Sequence, residues 1–177
     1  PSHSYDLGLG EGTKTYQQST SDPWLPNLYI AYKKNNWALY TGVFNPGGGA
    51  TANYPNGSIT TDLIGLGVLT AAGGAYTMIS NPSLKASSMY LTTTLGGSYS
   101  FSKMVSATMA LRYVSAKNNV QSSMTMTGSP IDLPDQTLNL DADYTASGIG
   151  GVFGINITPS DKTNFSIRYE SQVNLDF

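Results

Sequence analysis

In the segment SATMALRYVSAK, residues 106–117, the first eight residues alternate strictly between two kinds of side chain. One parity is small or polar and includes Arg112, whereas the other parity is apolar. The apolar parity holds Ala107, Met109, Leu111 and Tyr113. Successive side chains of a β-strand point to opposite faces, so this pattern predicts a strand whose two faces meet different surroundings.

The composition restricts the class of protein. A chain of 177 residues can bury one core, yet only 11% of it is charged, about half the usual share. Its 19 glycines and 12 tyrosines, with many serines, threonines and asparagines, are typical of β-proteins. The net charge of -2 argues against a nucleic-acid-binding protein, and the lack of cysteine excludes a disulfide frame. No apolar run approaches the roughly eighteen residues of a transmembrane helix.

The two-faced pattern recurs in six segments, which form three pairs joined by short turns. The predicted hairpins are 26–33 with 36–44, 89–101 with 104–116, and 145–157 with 163–175. The first of them is expected to turn at Lys34 and Asn35. Long connections at 45–88 and 117–144 separate the hairpins. Short turns that alternate with long extracellular loops are the layout of an outer-membrane β-barrel.

The charges within these strands support a membrane location. Arg112, Arg168 and Glu170 all lie on the parity opposite the apolar side chains, as expected for a polar lumen inside a lipid-facing wall. Aromatic residues near the short turns suit the girdle at the membrane interface, namely Tyr32, Trp37, Tyr99 and Phe101. A soluble β-sandwich is the alternative, but its water-exposed faces would normally carry more Lys and Glu.

Three longer stretches give a more specific indication. They are PNLYIAYKKNNWALYTGVFNPGG (26–48), YLTTTLGGSYSFSKMVSATMALRYVSAK (90–117) and YTASGIGGVFGINITPSDKTNFSIRYESQVNLDF (144–177). In order and spacing they resemble the middle of FadL/TodX-type outer-membrane transporters of hydrophobic compounds. The resemblance implies an all-β, antiparallel transmembrane barrel of 14 strands with an N-terminal plug. Because six strands cannot close around a lumen, we predict that residues 1–177 form a single barrel domain that is a fragment.

The resemblance also implies a function, which is passive uptake of hydrophobic small molecules such as long-chain fatty acids or aromatic compounds across the bacterial outer membrane. The 45–88 loop is predicted to capture the cargo in an apolar extracellular groove. The groove residues would be Leu63, Ile64, Leu66, Val68, Leu69, Tyr76, Met78 and Ile79. The alternative is that these side chains only cap the barrel.

Two interpretations of the lumenal charges remain open. Arg112 and Arg168 could bind a fatty-acid carboxylate, or either arginine could form an ion pair with Glu170 and brace the wall. The glycines at 148, 150, 151 and 154 suit either close packing of a plug or a crowded inner wall.

Signals for catalysis are weak, so the chain is predicted not to be an enzyme and to need no cofactor or metal. His3 has no partner at triad or ligand spacing. The acidic residues Asp132, Asp135, Asp141 and Asp143 lack the spacing of a calcium loop. Expected partners are the hydrophobic cargo, outer-membrane lipid and other protein chains of a membrane complex. The alternative functions are a FadL-like barrel that serves as a protein-docking scaffold in a secretion or surface complex, and a soluble β-adhesin domain.

Overall fold

A computed structural model describes residues 2–6, 12–21, 24–128 and 133–177. Strands make up 73% of the structure, which confirms the all-β prediction. The elements in chain order are β1 (Ser2–Asp6), β2 (Thr13–Gln17), β3 (Ser19–Ser21), β4 (Leu28–Lys34), β5 (Trp37–Tyr54), α1 (Ile59–Ala71), β6 (Tyr76–Ser100), β7 (Val105–Gly128), β8 (Gln136–Ser160) and β9 (Thr163–Glu170). Within the described ranges, no helix has both the length and the apolar character needed to cross a bilayer.

The strands form two sheets. β1 and β2 make an antiparallel pair in which Ser2 faces Gln17 and Asp6 faces Thr13. The larger sheet has seven strands in the order β3-β5-β6-β7-β8-β9, and β4 also pairs with β5. Among the described strands this sheet stays open and does not close into a barrel. An open sheet agrees with the prediction that the strands of this chain cannot close around a lumen by themselves, and the 14-stranded barrel stays a prediction.

The three predicted hairpins are present as β4–β5, β6–β7 and β8–β9. The strands are longer than predicted, because β6 and β8 each have 25 residues and β7 has 24. Most of the two segments expected to be long loops is therefore regular structure. Residues 45–88 contain the end of β5, α1 and the start of β6, and residues 117–144 contain the end of β7 and the start of β8.

The composition of these extensions explains why the strands were expected to stop earlier. The end of β7 reads KNNVQSSMTMTG, in which Asn, Gln, Ser and Thr obscure the alternation. The inward side chains are still regularly spaced, since Met124 and Met126 are both buried. Two methionines separated by one residue were the signal of a continuing strand.

The chain divides into two compact units. The helix unit comprises Pro1–Pro23, Ala50–Ser88 and Asn118–Asp143. The hairpin unit comprises Trp24–Gly49, Met89–Lys117 and Tyr144–Phe177, and it contains all three short turns.

Helix α1 begins and ends at well-defined caps in the helix unit. The Ser58 hydroxyl accepts a hydrogen bond from the Thr61 backbone N–H at 3.3 Å, and the Thr61 hydroxyl accepts one from the Ser58 backbone N–H at 2.7 Å. This reciprocal pair is a capping box. At the other end, Gly73 has φ +60, a conformation that glycine adopts without strain and that ends the helix.

The register of the first hairpin is fixed over seven residue pairs, from Leu28 opposite Val43 to Lys34 opposite Trp37. The turn itself therefore consists of Asn35 and Asn36, one residue later than the sequence analysis placed it. Asn35 has φ 52, in the left-handed region that Asn tolerates better than most residues because its short side chain can bond locally.

Replacement of Asn35 tests this turn. We expect Asn35→Val to lower the free energy of unfolding by about 1–2 kcal/mol, because a β-branched side chain is strained at positive φ. Asn35→Gly should leave it nearly unchanged. Urea unfolding of the two variants and the parent chain, followed by tryptophan fluorescence, measures the difference; equal stability of the Val and Gly variants would contradict the turn geometry.

Candidate functional site

The hairpin unit has one face covered by large apolar side chains that are exposed. Met109, Leu111 and Ile167 are 67%, 65% and 73% exposed. Their neighbours on this outer face include Leu39, Leu95, Ile149, Phe153, Phe165 and Tyr169, all of which are exposed. In a β-sandwich such a face would be buried against a second sheet. Among the described residues, these side chains remain exposed.

On the opposite, inner face of the same sheet, the side chains of β7 are mostly small and largely buried. Ala110, Val114 and Ala116 alternate with the apolar residues of β7, and each is less than a tenth exposed. Arg112 belongs to this set by parity. The structure therefore places Arg112 and its apolar neighbours on opposite faces of one strand, as the alternation predicted.

A pocket of about 450 Å³ lies on the inner face and has two chemically different walls. One wall is aromatic, with Tyr29 from β4 and with Tyr40 and Phe44 from β5. The rings of Tyr29 and Phe44 are stacked, with centroids 5.9 Å apart. The other wall carries Arg112 from β7 and Arg168 from β9. An apolar cavity with a few convergent polar groups is the usual form of a small-molecule site.

Two glycines shape the aromatic wall. A Cβ atom at Gly42 would lie 2.6 Å from Cδ1 of Tyr29, and one at Gly96 would lie 2.5 Å from the Tyr40 ring. At both distances the ring would have to shift for any other residue, so each tyrosine ring packs directly on a glycine of a neighbouring strand. The sequence shows these glycines but gives no indication of which ring covers each one.

The charged wall contains a three-residue ion-pair cluster. The guanidinium Nη1 of Arg112 donates to Oε2 of Glu170, and Nη2 of Arg168 lies 2.6 Å from Oε1 of the same carboxylate. The wall-bracing interpretation is thus the arrangement present in the structure. Two guanidinium groups share one carboxylate, so the cluster keeps one positive charge. The Nε atom of Arg112 is buried and has no hydrogen-bond partner among the described residues.

The glycines of β8 contact the chain's own C-terminal segment. A Cβ atom at Gly150 would lie 2.7 Å from Cγ2 of Val173, and one at Gly148 would overlap the backbone oxygen of Asn174. Gly151 has nothing within 4 Å, and Gly154 has only ordinary contacts. Two of the four glycines, Gly148 and Gly150, therefore leave room for the residues that follow β9.

The predicted capture groove is built on α1 and the start of β6 in the helix unit. The helix buries only Thr61 and Gly65, and Gly65 faces the side chain of Ile79. Leu63 and Ile64 are 52% and 53% exposed. Of the other predicted groove residues, Leu66 and Met78 are exposed, and Val68, Leu69, Tyr76 and Ile79 are half-buried. The helix thus carries Leu63 and Leu66 on its surface, while Leu69 is half-buried.

An interaction that the sequence analysis missed anchors this helix. Asp62 of α1 accepts a hydrogen bond from the Tyr16 hydroxyl at 2.7 Å and pairs with Nζ of Lys14 at 2.6 Å. Tyr16 and Lys14 lie on β2, far away along the chain, so no local pattern reports this contact. Burial and the adjacent Asp62 carboxylate raise the pKa of Tyr16 to about 12.

The residues considered for metal binding or catalysis do not assemble into a site in the described parts of the chain. Asp141 and Asp143 receive the Asn119 amide at 3.3 and 3.0 Å, and no group of three potential metal ligands occurs among the described residues. Asp135 contacts the backbone of Gly128. His3 is exposed on β1, and Asp132 lies outside the described residues.

The fold and the site define a β-sheet protein with an exposed apolar face and a pocket on its opposite, polar face. Comparison with known proteins adds no relative: no protein-family model, no curated protein and no solved structure matches the chain.

Removal of the shared carboxylate tests the ion-pair cluster. We expect Glu170→Gln to lower the free energy of unfolding by about 1–2 kcal/mol, because Arg112 would lose its anionic acceptor in a partly buried position. Asp161→Asn, at an exposed carboxylate in the β8–β9 turn, is the matched control and should have almost no effect. Equal losses in urea unfolding would show that the cluster does not brace the wall.

The hydrogen bond from Tyr16 to Asp62, which anchors α1, predicts that the free energy of unfolding depends on pH. The folded-state pKa of Tyr16 is above the ordinary 10.0, so its stabilising contribution is complete below about pH 10 and is lost as the pH rises to about 12. As the pH rises through this range, Tyr16→Phe should lose less unfolding free energy than the parent chain, because it has no phenol to ionise. Asp62→Asn should show a loss between those of the other two proteins. Unfolding free energies of the three proteins across this range test the sign; identical slopes would contradict it.

Proposed function

We propose that this chain is part of an outer-membrane β-barrel of the FadL type that lets hydrophobic small molecules cross passively. The observation that carries the proposal is the division of the hairpin unit into an exposed apolar face and an inner face with an aromatic and cationic pocket. A bilayer accommodates the first face, and a lumen accommodates the second.

The chemistry of the inner pocket suits an amphipathic cargo. Tyr29, Tyr40 and Phe44 offer apolar area for an alkyl or aromatic body, and the guanidinium of Arg168, whose side chain is 64% exposed, offers charge-assisted donors for a carboxylate. Glu170 already occupies part of the guanidinium, so a cargo carboxylate would share the cluster with it.

The exposed leucine-rich side of α1 is the second element of the proposal. An apolar helix surface fixed to β2 by Asp62 can hold an apolar molecule that leaves water, because the helix is anchored by polar contacts and its leucines remain free. In this proposal α1 binds the cargo first, and the lumen of the completed barrel conducts it along its concentration gradient.

The barrel itself requires more strands than the described sheet contains. Unpaired backbone groups at a sheet edge are not tolerated in hydrocarbon, so β4 and β9 need strand partners in the bilayer. The proposal includes these partner strands, whether the same chain or other chains supply them.

Binding of a fluorescent long-chain fatty acid tests the capture step. We expect the double variant Leu66→Asp with Val68→Asp to weaken binding by about tenfold or more, because two charges would enter the apolar surface. The matched control is Thr60→Asp with Ala71→Asp, which adds the same charge at exposed positions of the same helix. Unchanged affinity in the first variant would reject capture at α1, and clean solubility of the parent chain without detergent would reject the membrane location.

A further inference from the structure

The three short turns of the hairpin unit lie along one rim. The backbone N–H of Ser100, at the end of β6, donates to the carbonyl of Asn36 in the first turn at 2.7 Å. The N–H of Thr158, near the end of β8, donates to the carbonyl of Met104 at 2.7 Å. These two bonds hold the ends of the three hairpins side by side, so the side chains of their turns form one continuous surface.

This rim is basic. Lys33, Lys34, Lys103 and Lys162 are all exposed there, and Asp161 is the one acidic residue in the three turns. The two units also differ in charge over their whole sequence. The hairpin unit has seven Lys or Arg and three Asp or Glu, a net charge of +4, whereas the helix unit has two and eight, a net charge of -6.

An apolar groove of about 390 Å³ lies on the outer face, and its lining reaches the first two turns. Leu39, Gly97, Ala107 and Met109 line it, and Trp37, Tyr99 and Phe101 lie toward the turns. Gly97 keeps the groove open, because a Cβ there would lie 3.3 Å from the side chain of Leu39. The groove therefore crosses from an aliphatic stretch to an aromatic one.

Lysines stand at the aromatic end of the groove. Lys34 is paired in register with Trp37, and Lys103 follows Phe101 by two residues in the second turn. An aliphatic groove, then aromatic rings, then cations is the order in which a bilayer presents acyl chains, the interface and anionic headgroups. Neutral lipid would satisfy the groove but would leave the lysines without a partner of opposite charge.

We infer that this groove and its lysines form a binding site for an anionic glycerophospholipid, with one acyl chain along Leu39, Gly97 and Met109 and the phosphate at Lys34 and Lys103. The inference rests on the proposed membrane location and extends it, because it sets the leaflet. The short-turn rim faces a layer that contains anionic phospholipid headgroups.

Quenching of Trp37 by brominated lipid tests the site directly. The full chain carries only two tryptophans, and Trp24 is 97% exposed, so Trp24→Phe leaves Trp37 as the single reporter. The protein is reconstituted in mixed vesicles of phosphatidylglycerol and phosphatidylcholine, in which only one of the two lipids carries brominated acyl chains. Comparison of the two labelling schemes gives the composition of the lipid that touches Trp37.

We expect phosphatidylglycerol to be enriched at Trp37 about fivefold or more over its bulk fraction, since one lysine near an anionic headgroup changes affinity roughly fivefold. Lys34→Gln with Lys103→Gln should abolish the enrichment. Lys85→Gln with Lys117→Gln, which removes the same charge at exposed strand positions, should preserve it.

The outcomes separate this inference from the proposed function. Equal quenching by both brominated lipids in the parent chain would overturn the anionic site and leave the membrane location standing. Quenching by neither lipid would overturn both, because Trp37 would then lie outside the bilayer. Enrichment that survives in Lys34→Gln with Lys103→Gln would show that these lysines do not select the lipid.

Discussion

The physical constraint on which the structure depends is the separation of large apolar side chains and charged side chains onto opposite faces of the hairpin unit. Met109, Leu111 and Ile167 lie on a face that the described chain does not cover, and burial of apolar surface is worth roughly 25 cal/mol for each Å². Exposed apolar surface of this kind usually marks a site of interaction. The buried residues of the inner face, such as Ala110 and Ala116, are too small to form a substantial core by themselves.

This constraint also explains the distribution of charge within the unit. Arg112 and Glu170 lie on the inner face and contact each other across β8, so their charges are compensated on the side opposite the apolar wall. The remaining cations of the unit are mostly at the three short turns. Charged, aromatic and aliphatic residues are thus distributed by their distance from the short turn of each hairpin.

The sequence was sufficient for the hairpins and for the two faces, because period-2 alternation is a local signal that each strand carries by itself. It was insufficient for strand length, since the polar extension of β7 conceals the spacing of Met124 and Met126. It was also insufficient for the anchor of α1, because Asp62 contacts residues on β2 that are remote in sequence. The parity of Arg112 and Glu170 allowed either an ion pair between them or a bound carboxylate at Arg112. The ion pair follows from the positions of the three adjacent strands β7, β8 and β9, which the sequence does not show.

The packing of tyrosine on glycine has a consequence for how such a pocket can diverge. Tyr29 and Tyr40 rest on Gly42 and Gly96, and these contacts depend on the absence of a Cβ atom rather than on the backbone ladder. A change to alanine at Gly42 would displace the Tyr29 ring, whereas a change to alanine at Gly96 would also crowd the Cβ of Ala110 on the adjacent strand. The Tyr29 side of the pocket can therefore be reshaped by a single substitution, while the Tyr40 side is coupled to the packing of β6 against β7.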